Sequence, residues 1–448
     1  MEQFIKKLFE AGEEKGFEDQ EVYYQTAKNF SVSVYKQAID KYSLSENGGM
    51  SYRALVKGKV GYAYTEKLTE DSIPFLIDSA YENALVNEND DLVVMHDGSG
   101  DYKTIDMYNP ELEKVEIPKK IDFLMELEKM VEAKDSRIHQ VTANTYQESE
   151  VYIRIVNTKG LNVEDRNNYC FAYAVASAKE NGDTRTGMGY QFGSGFEKLS
   201  CDKIADDASR EALNMLGAKT DISKTCPVVF KNDTFAELMS TYNGVYSAES
   251  VHKNLSKLKG KIGEKIASES FTLIDDPHMP DGIGSSSFDA EGVATYCKAI
   301  VEDGKLLTYL HNLKTATKDG VASTGNASKG SYKGTLGISP TNIYLKAGDD
   351  TAENIIGSVK DGYYLTGLQG LHAGVNAISG DFSLQCYGYK IVNGKLDRPV
   401  SQITVAGNYF EMIQEIEMIA NDLTFTIMGS GYMGTPTVKI RALSISGE

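Results

Sequence analysis

Tryptophan is absent from this 448-residue chain, proline occurs nine times and cysteine five. The cysteines (Cys170, Cys201, Cys226, Cys297, Cys386) are odd in number and never closer than 25 residues. That spacing excludes a disulfide scaffold, and a chain this long buries enough core without one. Positive charge is also scarce, with 46 Lys and Arg against 64 Asp and Glu and a formal net charge of -18. Counterion release from phosphates needs the opposite sign, so neither nucleic acid nor an anionic membrane surface is expected as a partner. No apolar run approaches the roughly 18 residues that cross a bilayer, and Met1-Glu2-Gln3-Phe4 starts neither a basic nor an apolar leader. The expectation is a reducing, cytoplasmic setting.

Clustered metal ligands are missing too. His96, His139, His252, His278, His311 and His372 all stand more than 25 residues apart, and none is followed by Glu. A helical zinc peptidase needs two imidazoles one turn apart and a Glu beside them to take the proton of the bound water. No catalytic, cofactor-binding or metal-ligating residue is therefore assigned, and no cofactor is expected. His278 beside Asp275 and Asp276 is the nearest approach to a metal set, but Pro277 intervenes and a polar turn accounts for it equally. Cys297 and Cys386 lie in β-like stretches without a nearby base and read as buried small side chains. Gly429-Ser430-Gly431-Tyr432-Met433-Gly434 has dinucleotide-loop spacing, yet Pro436, Val438 and Ile440 predict a strand where that loop needs a helix. In Gly325 to Ser331, Ser331 stands where a phosphate loop needs lysine, and no Gly-x-Ser-x-Gly elbow occurs.

What is present is alternation. Phe4, Ile5, Leu8 and Phe9 share a helical face before Gly16; the period then changes to two through Val22, Tyr24, Phe30, Val32 and Val34. Asn47-Gly48-Gly49 and Lys57-Gly58-Lys59 predict hairpin turns, and a helix is expected over 69–86 behind Thr69. Residues 87–116 read as an acidic solvated connection. A helix near 118–133, with Ile121, Leu124, Met125 and Val131 inward, precedes strands near 149–157, 168–178 and 184–192. A helix capped by Ser200 then runs to Gly217. Helix, strands and helix thus occur twice. The chain divides into an N-terminal α+β domain, 1–217, with an antiparallel sheet and a possible internal duplication, and a mainly β domain, 226–448, barrel- or sandwich-like. Turns at Glu302-Asp303-Gly304 and Val392-Asn393-Gly394 punctuate the second, and one late helix is expected near 408–420.

Five segments follow one another in an order with a counterpart elsewhere: Ser287-Phe288-Asp289-Ala290-Glu291-Gly292-Val293, Ser323-Thr324-Gly325-Asn326-Ala327, Gly374-Val375-Asn376-Ala377-Ile378-Ser379-Gly380-Asp381-Phe382-Ser383, Pro399-Val400 with Ile403-Thr404-Val405-Ala406-Gly407-Asn408, and Asn421-Asp422-Leu423. In these the chain resembles the TldD/PmbA family, modulators of DNA gyrase associated with peptide maturation, and within it the PmbA (TldE) branch. In the TldD branch a His-Glu-x-x-x-His sequence and a later Cys hold zinc, and the two branches together form an ATP-independent peptidase for unfolded peptides. The resemblance places the first motif at about Met239 to Gly244, which reads Met-Ser-Thr-Tyr-Asn-Gly, and the later Cys at Met428. It implies a peptidase-family protein without the metal, acting as partner or regulatory subunit of a TldD-like zinc peptidase, with unfolded peptides as substrates and a homo- or heterodimer as the assembly. An autonomous peptidase with an unrecognised site and a homodimeric peptide- or protein-binding module are the alternatives. Asp289, Glu291, Asn376, Asp381 and Asn408 are the candidates to line a cleft or interface, although nearby glycines favour the plainer task of satisfying backbone in tight turns.

Overall fold

A computed structural model describes residues 1–87, 93–428 and 431–448. The acidic Glu88–Asp91 run and the first two residues of the Gly429–Gly434 spacing fall outside the described residues. Helix α1 (Glu2–Lys15) buries Phe4, Ile5 and Leu8 and stops at Gly16, which takes the left-handed conformation (φ 90°) that lets its N–H close the last turn. Six antiparallel strands follow in two sets: β1 (Gln20–Tyr35), β2 (Ala38–Val56) and β3 (Lys59–Thr65), then β4 (Ile138–Asn157), β5 (Asn162–Glu180) and β6 (Asp183–Gly193). They form one sheet in the order β3-β2-β1-β4-β5-β6. The sheet is a palindrome about the β1–β4 pair, each half flanked by its own helices. These are α2 (Ile73–Val86) against β3, and α3 (Ile117–Ala133) with α4 (Cys201–Asn214) against β4–β6. The repeated element order read from the sequence is thus visible as a pseudo-symmetric sheet. Ser200 caps α4 by accepting the Lys203 N–H, as expected.

Two local expectations are corrected. Asn47-Gly48-Gly49 makes no turn; it lies inside β2, and the first hairpin closes at Lys36-Gln37, both with positive φ. Gly49 instead makes room for a neighbour, since a Cβ there would stand 2.3 Å from the Tyr332 ring. The Lys57-Gly58 turn is found, with both residues left-handed. The late helix is a single turn, Tyr409–Met412; Ile416–Ile419 is a strand paired with Val438–Ser446, so its spacing of apolar residues serves an edge and not a helical face. The connection before α3 carries a short helix, Pro110–Glu113, and buries Met95, Met107 and Leu112, so it is less solvated than its charge suggests.

The C-terminal part is built on β7 (Lys224–Phe230), β8 (Asp361–Gln369), β9 (Asp381–Val392), β10 (Lys395–Asn408) and β11 (Val438–Ser446). β8 pairs parallel with β7; the other neighbours run antiparallel, and Thr404–Ala406 of β10 meets Ser444–Ser446 of β11 to close a five-stranded barrel. Asp303-Gly304 and Asn393-Gly394 make the expected left-handed turns. A second sheet built around Leu273–Asp275 and Ile343–Leu345 shares one apolar core with the barrel, from Phe271 and Leu273 to Val405 and Ile440. A smaller cluster, Tyr23, Ile155, Leu161, Phe288 and Tyr332, welds the loops of this part to the N-terminal sheet. No described helix is long and apolar enough to cross a membrane.

Candidate functional site

Glu21 of β1 and Arg53 of β2 face one another across the strand pair, which sets the geometry of the junction between sheet and loops. Arg53 Nε donates to Glu21 Oε1 at 2.7 Å, and Nη1 reaches Glu291 Oε1 at 3.4 Å. Glu291 is held in turn by the Leu313 N–H (2.7 Å), and Glu21 accepts from Asn157 Nδ2 (3.2 Å). All three charged side chains are more than nine-tenths buried. The arginine is not fully used: its Nη2 is buried and has no hydrogen-bond partner among the described residues.

Lys329 lies beside this group. Its Nζ donates to Ser51 Oγ at 2.5 Å and stands 4.5 Å from the Tyr23 ring and 4.8 Å from the Tyr62 ring, a pair of π-faces that partly replaces water. Among the described residues no carboxylate pairs with it. Burial pushes its ammonium down to about 7, the Arg53 charge adds to that, and Glu21 opposes it. A cavity of about 280 Å³ opens here, walled by Arg53, Ser51 and Lys329 and by apolar Val60, Ala290 and Leu336. A second, of about 270 Å³, lies on the other side of Lys329 and Tyr23 and is bordered by Asp165 and Asp289.

The five sequence candidates separate into two groups. Glu291 lines the first cavity and Asp289 the second. Asp289 works on backbone: Oδ1 accepts from the Glu291 and Val293 N–H groups (2.9 and 3.1 Å) and Oδ2 from Ala327 (2.9 Å). Burial and the neighbouring Glu291 raise its pKa against those three donors. Asn376, Asp381 and Asn408 gather at the β9–β10 end instead. Asn376 Oδ1 accepts from the Ile378 and Ser379 N–H groups, and Asn408 Nδ2 donates to Asp381 Oδ1 and Ser379 O, both at 2.8 Å. These three tie a loop together and do not join the junction. Arg53 and Lys329 were not singled out in the sequence: 276 positions separate them, and only the packing of the loop after Ala327–Ser328 against β2 brings them side by side.

The metal-like and thiol readings resolve in the same way. Asp275 is spent on Lys298, Asn326 and Thr341, while His278 Nε2 meets Thr295 Oγ1 at 3.2 Å. Cys386 is buried, as expected, but Cys297, just ahead of the strand Lys298–Glu302, is exposed; desolvation raises both thiols. Gly325 is a left-handed turn leading into the short strand Ala327–Ser328.

Residues Met239–Gly244 span the end of helix α5 (Asn232–Ser240) and the turn after it. Tyr242 stacks on Tyr409 (4.2 Å between centroids, 13° between planes) and donates to Gly380 O, and the Tyr246 and Tyr409 hydroxyls meet at 2.7 Å. Thr241 Oγ1 donates to Leu238 O within the helix end. Among the described residues no three His, Cys, Asp or Glu side chains converge as a metal set would.

The chain matches three consecutive family models: PmbA/TldA metallopeptidase domain 1 over residues 21–84, the central domain over 110–216 and the C-terminal domain over 223–447. An uncharacterised protein of Methanocaldococcus jannaschii is 30% identical over 92% of this chain and 93% of its own length. A metalloprotease PmbA of Escherichia coli is 26% identical over 94% of this chain and 91% of its own. A crystal structure from Thermotoga maritima, described as a candidate modulator of DNA gyrase, superposes with a TM-score of 0.92 at 31% identity, covering 99% of this chain and 100% of that one.

Proposed function

This chain belongs to the PmbA/TldA metallopeptidase family, and we propose that within it the chain serves as the metal-free, PmbA/TldE-like partner or regulatory subunit of a TldD-like zinc peptidase that trims unfolded peptides. The observation that carries this reading is the tyrosine packing after α5. Where the resemblance sets the His, Glu and His of the zinc motif, the chain supplies Met239, Ser240 and Gly244, and Met428 stands for the later Cys, while Tyr242 and Tyr246 between and beside them are locked against Tyr409. Two thioethers, a hydroxyl and a glycine do not fit zinc, which takes thiolate, imidazole or carboxylate.

A partner surface is available in this reading. β3 pairs with β2 only from Met50 onward, so among the described residues 38–49 of β2 have β1 on one side and no strand on the other. Ala38–Asn47 is exposed throughout and carries Ile39, Tyr42 and Leu44, the last 67% exposed. Such an edge invites strand pairing unless something covers it. The division into domains 1–217 and 226–448 belongs to the same proposal, as does a cytoplasmic location, with Asp289 and Glu291 facing the interdomain cavities and Asn376, Asp381 and Asn408 shaping a surface loop. Co-expression with a relative that carries His-Glu-x-x-x-His, followed by cleavage of an unfolded peptide, tests it. The expected result is a stable heteromer more active than the zinc-bearing chain alone. A zinc-bearing chain that is fully active by itself and never associates with this one overturns it; a homodimer that recruits no peptidase favours the binding-module alternative.

A further inference from the structure

We propose that the junction cavity between the N-terminal sheet and the 290–336 loops is a carboxylate-binding site, taking the carboxylate of a small ligand with an apolar body at Lys329, beside Arg53. The basis is that Lys329 and Arg53, both in the cavity lining, keep donors that no acceptor among the described residues meets. Arg53 has five N–H hydrogens in a fixed fork, and its Nη2 is buried and without a partner among the described residues. Lys329 has three, of which one is met by Ser51 Oγ, while the Tyr23 and Tyr62 faces stabilise its charge without accepting a conventional hydrogen bond. A buried donor left unmet is costly, and an arginine beside a lysine repels it. Glu21 and Glu291 already balance Arg53, whereas a carboxylate in the cavity supplies the acceptor and the counter-charge that Lys329 lacks.

The acceptors already present do not fill this role. Glu21 and Glu291 hold the Nε and Nη1 side of Arg53, and Glu291's second oxygen is taken by the Leu313 N–H. Asp289 points its oxygens at three backbone N–H groups. Glu249, also in the lining, pairs with Lys253, and Val60, Val94, Ala290 and Leu336 supply apolar surface. The cavity's volume of about 280 Å³ lies near the lower end of the range that small-ligand pockets fill. A C-terminal leucine of a peptide and a short branched-chain acid present the same chemistry, one head and one apolar body.

The inference concerns the isolated chain and does not rest on a peptidase partner, so its failure would leave that reading untouched. Titration calorimetry of the full chain with acetyl-Leu-Leu, with its C-terminal amide and with isovalerate tests it. Acetyl-Leu-Leu or isovalerate is expected to bind, the dipeptide acid about tenfold or more tighter than its amide if the dipeptide is the ligand, and Lys329→Met is expected to weaken the acid about tenfold while keeping the thermal midpoint. Binding of the dipeptide alone identifies a peptide terminus; equal binding of isovalerate identifies a free acid. Either supports the carboxylate site. No binding by either acid at millimolar concentration, amide equal to acid, or an unchanged affinity in a folded Lys329→Met variant overturns it. Should that variant fail to fold, the acid–amide comparison on the unaltered chain decides.

Discussion

Two lysines in this molecule, buried Lys298 and half-buried Lys329, meet opposite circumstances. Lys298 donates to Asp275 at 3.0 Å, and that carboxylate also accepts from Asn326 Nδ2 and from the Thr341 N–H and hydroxyl, so both its oxygens are doubly engaged. Among the described residues Lys329 has a hydroxyl and two ring faces, and its neighbour Arg53 keeps a buried Nη2 unused. The first arrangement is complete and holds the second sheet to its loops. The second, in the proposal above, is completed by a further anion, which is how a structural ion pair and a binding site differ.

The contrast breaks most sharply at Asp275. Asp275→Ala leaves the Lys298 ammonium buried without its counter-charge and is expected to cost about 3–5 kcal/mol in urea unfolding. A loss below about 1 kcal/mol would mean that Lys298 finds water or another acceptor and that the two sites are alike. Glu291→Gln is gentler, because the amide oxygen still accepts the Leu313 N–H while one of the two charges facing Arg53 disappears; about 1–3 kcal/mol is expected, read by the same unfolding curve.

Lys329→Met is expected to change stability by no more than about 1 kcal/mol, in either direction, since no ion pair is broken and the stem's packing is kept. Its signature lies in pH. Burial holds the native ammonium near 7, below its unfolded value, so the native state binds fewer protons and stability rises as pH goes from about 7 toward 10. Thermal melts of the variant should lose that part of the slope, and an unchanged slope would show that Lys329 is solvated. Asn376→Ala should cost about 0.5–1.5 kcal/mol and change no pH slope, with carboxylate affinity unaltered because its two hydrogen bonds serve only its own loop.

Local rules made much of the fold legible. Helix ends at Gly16 and Ser200 and turns at Lys57-Gly58, Asp303-Gly304 and Asn393-Gly394 depend on residues adjacent in the chain, and the structure has them where the sequence puts them. Asn47-Gly48-Gly49 shows where such rules stop. The same dipeptide chemistry that makes a turn also clears space for a distant ring, and Tyr332 lies 283 positions away from Gly49. Ile416–Ile419 fails for a related reason, since four residues cannot distinguish a helical face from a short edge strand. Of the site, Asp289 and Glu291 were readable because they sit in a recognisable segment, whereas Arg53 and Lys329 were not. A polar residue in an alternating strand is ordinarily solvent-facing, and what buries Arg53 is a loop from the other end of the chain.

Elemental analysis of the purified chain, paired with a cleavage assay on an unfolded peptide with and without chelator, bears most directly on a subunit that works beside a zinc-bearing relative. Less than about 0.1 transition-metal ion per chain and no chelator-sensitive cleavage is the predicted result. Zinc bound one to one, with cleavage that a chelator abolishes, would contradict it.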